Sequence, residues 1–270
     1  MLHLLKIEWL KVKNYRTFWI LLLLIIISIP ALNYMIFDIT DNSFPKNAKQ
    51  MQRMILGRPF SFPVVWQTIG WLSSLVLFIP SLLIITLTTN EFTYKTHRQN
   101  IIDGLSRVQF ISVKMVEVVL LALLSTLLVL ISALWIGHLA TDPNEKVQQF
   151  ENVQQLAYFF MEALSYIMFS FLLSVLIKRA GLVMGLFFLY SMIGEQIIVV
   201  VLQRYAEDAG RFLPLETSDR LILNPFSRIY MVPKEIEAWK AKLPLYITVT
   251  IGYFIAYCAL CIWYFRKKDL

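Results

Sequence analysis

The sequence has few of the residues that build redox, metal and hydrolytic sites. Its 270 residues include only two cysteines and three histidines. Cys258 and Cys261 lie three residues apart in one apolar run, so they share a helix face and cannot easily bridge each other. His3, His97 and His138 are far apart, and none belongs to a pair with metal-ligand spacing. We therefore expect neither a disulfide nor a metal site.

The motifs of nucleotide-binding and hydrolytic enzymes are also missing. No G-x-x-x-x-G-K-[ST] segment is present to hold ATP phosphates, so we expect no nucleotide-binding domain and no cofactor in this chain. The absence of G-x-S-x-G disfavours a hydrolase. Asp103-Gly104 and Arg107 are weakly similar to an alcohol-phosphatidyltransferase signature, but the further aspartates of its metal site are missing. The chain is therefore not expected to be an enzyme.

Charge is scarce and apolar sequence abundant. Charged residues make up 16% of the chain and hydrophobic residues 58%, and the mean hydropathy is +0.63. These values are typical of a membrane protein, in which a helix needs about 20 apolar residues to cross the bilayer. Six runs are long enough: 18–37, 64–89, 118–139, 156–177, 182–202 and 245–265. The composition predicts an all-α membrane protein, one domain over residues 1–270 in a lipid bilayer, with no nucleic-acid partner.

Basic residues close to the span ends predict the orientation of the chain. Six spans place both termini on one side of the membrane. Lys178-Arg179 and Arg266-Lys267-Lys268 lie directly at span ends, where positive charge marks the cytosolic side. We therefore expect a multi-pass membrane protein with both termini in the cytosol.

Two segments outside the spans are expected to be helical. Residues 1–16 can form an amphipathic helix in the membrane interface, with Leu2, Leu5 and Trp9 on one face. The alternative is a plain flank of the first span. Residues 204–243 are long and unusually apolar, and proline would divide them into short helices on the extracytoplasmic side. The prolines concerned are Pro214, Pro225 and Pro233.

The charged segment between the second and third apolar runs has more features than a connector needs. Residues 96–103 can form a short helix that Gly104 ends, and Ser106 can cap the helix that follows. An apolar pair, Ile101 and Ile102, lies among charged neighbours. The alternative is a basic loop that only sets topology, but the positive-inside rule requires neither the apolar pair nor the Gly–Ser break.

Several of these features belong to a known pattern. They are the entry helix at 1–16, Thr89-Asn90-Glu91, Thr96-His97-Arg98-Gln99, Gly104-Leu105-Ser106-Arg107 up to Lys114, Asn224-Pro225-Phe226 and the basic C-terminal tail. Together they resemble the six-span permease subunit of ABC-2 type ABC transporters. The resemblance covers the whole chain in layout, and in residues it is concentrated in 89–114.

The resemblance implies a transport subunit of the bacterial cytoplasmic membrane, an exporter that is driven by a separate ATPase. Residues 91–107 would hold a coupling helix docked on a cytosolic ABC ATPase subunit, present in two copies, which binds the ATP. A second permease copy or a paralogue would complete the transport path, and an extracytoplasmic accessory protein is a further candidate partner. Cargoes of the family are lipids, glycans, peptides or drugs. The residues expected to act in coupling are Glu91, Arg98, Ile101, Ile102, Asp103, Gly104 and Arg107.

Two carboxylates, Glu162 and Glu195, lie inside predicted spans, where ionisable residues are costly and mark functional positions by default. They are seventeen and sixteen residues from Arg179 in the turn between two spans, so they are expected at one depth. One interpretation is a shared polar chamber with Ser191 on the translocation path. The alternatives are separate pairing with basic residues such as Arg204, and hydrogen bonding that only supports packing.

Two other functions are open at this point. A scaffold or mechanotransmission subunit would couple an ATPase to an outer partner without moving a substrate. A polytopic membrane enzyme acting on lipids would need a catalytic constellation, of which only the two intramembrane carboxylates are present.

Overall fold

The computed structural model describes residues 2–42, 57–102, 104–142, 148–205, 209–226 and 233–267, and every regular element in these ranges is a helix. The first half of the chain forms α1 (Leu2–Val12), α2 (Arg16–Asn42), α3 (Val65–Ser74), α4 (Phe78–Thr93), α5 (Thr96–Ile102) and α6 (Arg107–Ala140). The second half forms α7 (Gln155–Ile177), α8 (Ala180–Leu189), α9 (Glu195–Tyr205), α10 (Glu216–Asp219) and α11 (Pro233–Lys267). A π-helical turn at Tyr190–Gly194 joins α8 to α9, and a 3-10 turn lies at Ala209–Phe212.

Several of these helices are long and apolar enough to cross a membrane. Five qualify alone: Arg16–Asp41, Arg107–Ala140, Gln155–Ile177, Ala180–Tyr205 and Ile236–Lys267. The pair α3 and α4 qualifies as a sixth, bent by 45°. The prediction of an all-helical chain with several candidate membrane spans is confirmed.

The bend between α3 and α4 has a cause in the sequence. At residues 75–77 the backbone makes three-residue turns, in which Val76 N donates to Ser73 O (3.2 Å) and Ile79 N to Val76 O (3.0 Å). Pro80 follows, and it has no N–H for the carbonyl of Val76, four residues earlier, while its ring crowds that carbonyl. The regular helical ladder therefore cannot run through this point.

The start of the last helix differs from the sequence prediction. Pro233 was expected to break the segment before a span at 245–265, but α11 begins at Pro233 and continues through Pro244. Proline is well tolerated at the first position of a helix, because the N–H that it lacks would have no partner there. The last helix therefore begins about three turns before its apolar part.

The helix α7 forms the centre of the bundle and packs against α3, α4, α6 and α11. At one end of the bundle, Arg107 Nη1 donates to the carbonyl of Arg266 (3.0 Å), which joins the start of α6 to the end of α11. This end carries α5 and is called the α5 end. At the opposite end, the Trp239 indole donates to the carbonyl of Arg220 (2.8 Å), which joins α11 to α10. It is called the α10 end.

Candidate functional sites at the two ends of the bundle

The predicted short helix is present as α5, and its boundaries have clear local causes. Lys95 before it and Gly104 after it have positive φ (57° and 102°), so the chain turns sharply on both sides. Ser106 then caps α6, because its hydroxyl accepts from Gln109 N (3.2 Å) and the Gln109 side chain accepts from Ser106 N (3.0 Å). The predictions for Gly104 and Ser106 are confirmed.

The apolar pair on α5 is divided between core and surface. Ile101 packs against the hydrophobic core, whereas Ile102 is 78% exposed. Tyr94, in the turn before α5, is also largely exposed. Of the predicted contact pair, Ile102 is therefore the exposed member, and Tyr94 is a second exposed apolar group of this turn.

The base of α5 is fixed to the bundle by His97 and a group of aromatic rings. His97 is buried, its Nδ1 lies 2.9 Å from the carbonyl of Glu91, and its ring lies 5.0 Å from that of Phe92. Phe265 of α11 contacts Phe92 (6.3 Å) and is stacked on Phe110 of α6 (5.3 Å). The aromatic group therefore joins α4, α6 and α11 directly beneath the α5 turn.

The other residues predicted to act in coupling are not all displayed on the α5 turn. Arg107 is bonded to the carbonyl of Arg266 at the end of α11. Glu91 is buried rather than displayed on the turn. The side chain of Arg98 and the whole of Asp103 lie outside the described residues.

Glu91 belongs to a buried charged cluster centred on Lys114, which is only 2% exposed. The Lys114 ammonium lies 2.5 Å from Glu8 Oε2, 2.8 Å from Glu91 Oε1 and 3.1 Å from Glu117 Oε1. Lys11 supplies a second ammonium, 2.6 Å from Glu8 Oε1 and 3.4 Å from Glu91 Oε1. This Lys114 cluster connects α1, α4 and α6 at the α5 end.

The charges in the Lys114 cluster stabilise one another strongly. Burial raises the pKa of Glu8, but attraction to Lys114 and hydrogen bonds from Lys11 and Lys114 outweigh burial and lower it to about 2. The inward face of α1 is therefore charged, and Trp9 is half exposed against the rings of Phe18 and Trp19. Ion pairs, in addition to apolar contacts, hold α1 against the bundle.

Sequence reasoning does not find the Lys114 cluster, because its main pairs join distant positions. Lys114 and Glu8 are 106 residues apart in sequence, and Lys11 and Glu91 are 80 apart. The local signal is the spacing of three between Glu8 and Lys11 and between Lys114 and Glu117, which places each pair on one helix face.

At the α10 end, Glu195 supports the short helix α10. Its Oε1 accepts from the backbone N–H of Leu215 (2.8 Å) and of Glu216 (3.1 Å). Leu215 precedes α10 and has no capping side chain of its own, so the carboxylate from α9 satisfies donors that a helix start leaves open. Glu216 in turn pairs with Arg220 Nη2 (2.5 Å).

The buried residues Glu162 and Tyr166 and the partly buried Asp219 lie in the same region. Glu162 is 2% exposed and lies beside Ser74, at the bend between α3 and α4. One turn later on α7, the Tyr166 hydroxyl donates to Asp219 Oδ2 (3.1 Å). Burial raises the pKa of Asp219 to about 8, although the Tyr166 hydrogen bond lowers it. Asp219 is therefore mostly protonated at neutral pH.

Glu162 and Glu195 both lie in this polar region, because Tyr166 is within electrostatic reach of the two and of Asp219. Ser191, which lies in the π-helical turn, contributes less to this polar region, since its hydroxyl is 3.5 Å from the carbonyl of Phe188. Glu162 Oε2 and Asp219 Oδ1 have no hydrogen-bond partner among the described residues. No three His, Cys, Asp or Glu side chains in the described ranges are placed to hold a metal ion.

A cavity of about 470 Å³ opens next to this region, and α3, α10 and α11 contribute to it. Its charged side chains are Arg211, Glu216, Asp219, Arg220 and Lys242. Its aromatic side chains are Trp71, Trp239 and Tyr246. A volume of this size is typical of small-molecule sites.

A known family model matches most of the chain. The model of a family described as a protein of unknown function, DUF2705, matches residues 60–270. The chain belongs to this family. No curated protein matches the chain. The DUF2705 match contains α3 to α11, and with them the α5 turn, Lys114 and the whole α10 end. Glu8 and Lys11, which α1 contributes to the Lys114 cluster, precede it.

Proposed function

We propose that this DUF2705 protein is the permease subunit of an ABC-2 type ABC transporter in the bacterial cytoplasmic membrane. The observation that carries the proposal is the α5 turn, a short helix with an exposed apolar residue, Ile102, and a base fixed to three spans. A separate ATPase, in two copies, docks on this turn. The α5 end, with α1 in the membrane interface, faces the cytosol, and two permease chains enclose the path of an exported substrate.

The geometry of the α5 turn is suited to transmitting a push. Towards α4, the His97–Glu91 contact and the Phe92 ring make the connection stiff. Towards α6, the positive φ of Gly104 and the cap at Ser106 provide a turn followed by a rigid helix start. Movement of α5 would therefore tilt α4 and α6 relative to α7, on which both pack.

The Lys114 cluster also joins α4 and α6, the two helices that flank α5. Glu91 is on α4 and Lys114 on α6, so any change in the separation of these two helices acts on a buried ion pair of 2.8 Å. Because Glu8 is bonded to the same ammonium, α1 follows the movement. Glu91 would then take part in coupling through Lys114 and without touching the ATPase.

Site-specific photo-crosslinking in the native membrane tests the proposal. A photoreactive side chain is introduced at Ile102 of the full-length chain, with Tyr205, 85% exposed at the α10 end, as the matched control position. Cross-linking from position 102 to a protein with a nucleotide-binding motif, and none from position 205, is expected. Equal products from both positions, or products without any ATP-binding protein, would contradict the proposal.

A second measurement separates transport from scaffolding. The cross-linked partner and the chain are purified together and reconstituted in liposomes, and ATP hydrolysis is measured with candidate lipids, glycans, peptides and drugs. Stimulation by a substrate that also accumulates inside inverted vesicles is expected. ATP hydrolysis that responds only to an outer protein partner, with no accumulation, would replace the permease with the scaffold function.

A further inference from the structure

The cavity at the α10 end has the position, the wall and the charge of a lipid-headgroup site. We propose that it binds the anionic headgroup of a phospholipid from the leaflet at that end of the bundle. The proposal goes beyond the transport function and needs no ATPase, so either of the two can fail without the other.

The depth of the cavity matches the headgroup level of a bilayer. Tyr246, on the cavity wall, follows directly after Leu245, the first residue of the apolar part of α11, which is half exposed on the outside of the bundle. Trp239 lies two turns before Tyr246 on the same helix, and Trp71 faces them from α3. Tryptophan and tyrosine are enriched at this level, where one part of the ring is apolar and another is wet.

The charge of the wall favours an anion. Three cationic side chains, Arg211, Arg220 and Lys242, and two acidic ones, Glu216 and Asp219, line the cavity. Glu216 is already paired with Arg220 (2.5 Å). Burial raises the pKa of Asp219, which favours the neutral form of this carboxyl. Basic side chains therefore outnumber acidic ones on the wall, three to two, and guanidinium and ammonium groups are the usual partners of phosphate.

The size and shape of the cavity fit one headgroup with its glycerol. A volume of about 470 Å³ holds a phosphate diester and its immediate substituents, and the apolar wall residues Ile222, Leu223 and Ala238 can contact the start of the acyl chains. The acyl chains would lie along the exposed surface next to Leu245. A zwitterionic headgroup would find less favourable charge here, because its ammonium would meet a wall on which basic side chains outnumber acidic ones.

Lipid retention by the full-length chain tests the proposal. The chain is purified in nanodiscs of equal phosphatidylglycerol and phosphatidylethanolamine, transferred to a mild detergent, and its bound lipids are counted by native mass spectrometry. Wild type should retain one phosphatidylglycerol in preference to phosphatidylethanolamine. Lys242→Gln, which removes one cationic contact, should reduce that preference about tenfold.

Two further variants make the result specific. Lys240→Gln removes a lysine from the same helix that is exposed and outside the cavity wall, so it should retain lipid as wild type does. Ala238→Trp fills the cavity and should remove the bound lipid altogether. Equal retention of both lipids by wild type, a preference for phosphatidylethanolamine, or the same loss in Lys240→Gln as in Lys242→Gln would overturn the proposal.

Discussion

The Lys114 cluster and the polar region around Glu162 and Asp219 lie at opposite ends of one bundle and accommodate buried carboxylates differently. At the α5 end, three carboxylates lie within 3.1 Å of a single ammonium, and a second lysine supports them. At the α10 end, carboxyl groups are held by backbone N–H groups, one tyrosine hydroxyl and one arginine.

The Lys114 cluster acts as a structural clamp, whereas the polar region at the α10 end is an adjustable site. Charges of opposite sign at short distance hold α1, α4 and α6 together at the α5 end, because separating any pair would leave a buried charge without compensation. At the α10 end, Asp219 titrates near neutral pH and Glu162 Oε2 has no hydrogen-bond partner among the described residues. This end can therefore change its charge and its contacts at lower cost.

Removal of the central lysine should have the largest effect. Lys114→Gln leaves the carboxylates of Glu8, Glu91 and Glu117 together without their shared ammonium, and we expect a loss of about 3–5 kcal/mol. The melting temperature in detergent, followed by size-exclusion fluorescence, measures it. Lys13→Gln, at an exposed position close to α1, is the control and should change little. Equal stability of Lys114→Gln and wild type would show that the cluster is no clamp.

The pH dependence of the free energy of unfolding should differ between wild type and Asp219→Asn. The pKa of Asp219 is raised in the folded state from an ordinary 3.8 to about 8, so the folded state binds the proton more tightly than the unfolded state. Stability from this group is therefore present at low pH and falls as pH rises between these values, by at most about 1.4 kcal/mol per pH unit. Asp219→Asn should flatten the fall between pH 6 and 8. Parallel curves for the two proteins would contradict the buried, protonated carboxyl.

A close backbone approach should make Gly210 sensitive to substitution. A Cβ there would lie 2.9 Å from the carbonyl oxygen of Val199, so Gly210→Ala must displace the 3-10 turn from α9, at a cost of about 1–3 kcal/mol. Gly185→Ala is the matched control, because nothing lies within 4 Å of that Cβ. It should be neutral or stabilising by up to about 1 kcal/mol, since alanine is the better helix former. If Gly210→Ala were as stable as Gly185→Ala, the 3-10 turn at Ala209–Phe212 could not lie this close to α9.

The smallest effect is expected for Glu195. Glu195→Gln keeps the side-chain oxygen that accepts from Leu215 and Glu216, so we expect a change below about 1 kcal/mol, whereas Glu195→Ala should cost about 0.5–2 kcal/mol. Thermal melts of both variants measure the difference. A large loss in Glu195→Gln with none in Glu195→Ala would be incompatible with the capping role.

Local features of the fold follow from the sequence, and contacts between distant residues do not. Gly104 and Ser106 predict the end of α5 and the start of α6, because turn and cap preferences act within a few residues. The Lys114 cluster is invisible from the sequence, since Glu8 meets Lys114 only after the bundle has formed. The early start of α11 at Pro233 is missed because proline is compatible with a first turn as well as with a break.

For the candidate site at the α10 end as well, local features could be predicted from the sequence and contacts between distant residues could not. A nearly equal distance from Arg179 predicts that Glu162 and Glu195 lie at one depth, and both lie within electrostatic reach of Tyr166. Their partners were not predictable, because Asp219 and the backbone of Leu215 come from a segment whose path depends on tertiary packing. The exposure of Ile102 and the partial burial of Ile101 likewise depend on how α5 packs on its neighbours.

The central claim is that an ATPase docks on the exposed apolar surface of the α5 turn. The most direct measurement is the amount of ATPase subunit that copurifies with Ile102→Glu, compared with wild type and with Tyr205→Glu at the opposite end. Because a charge replaces the exposed anchor, Ile102→Glu should lose ATPase binding by about 30-fold or more, with an unchanged melting temperature. Equal ATPase recovery with Ile102→Glu and Tyr205→Glu would contradict the docking site.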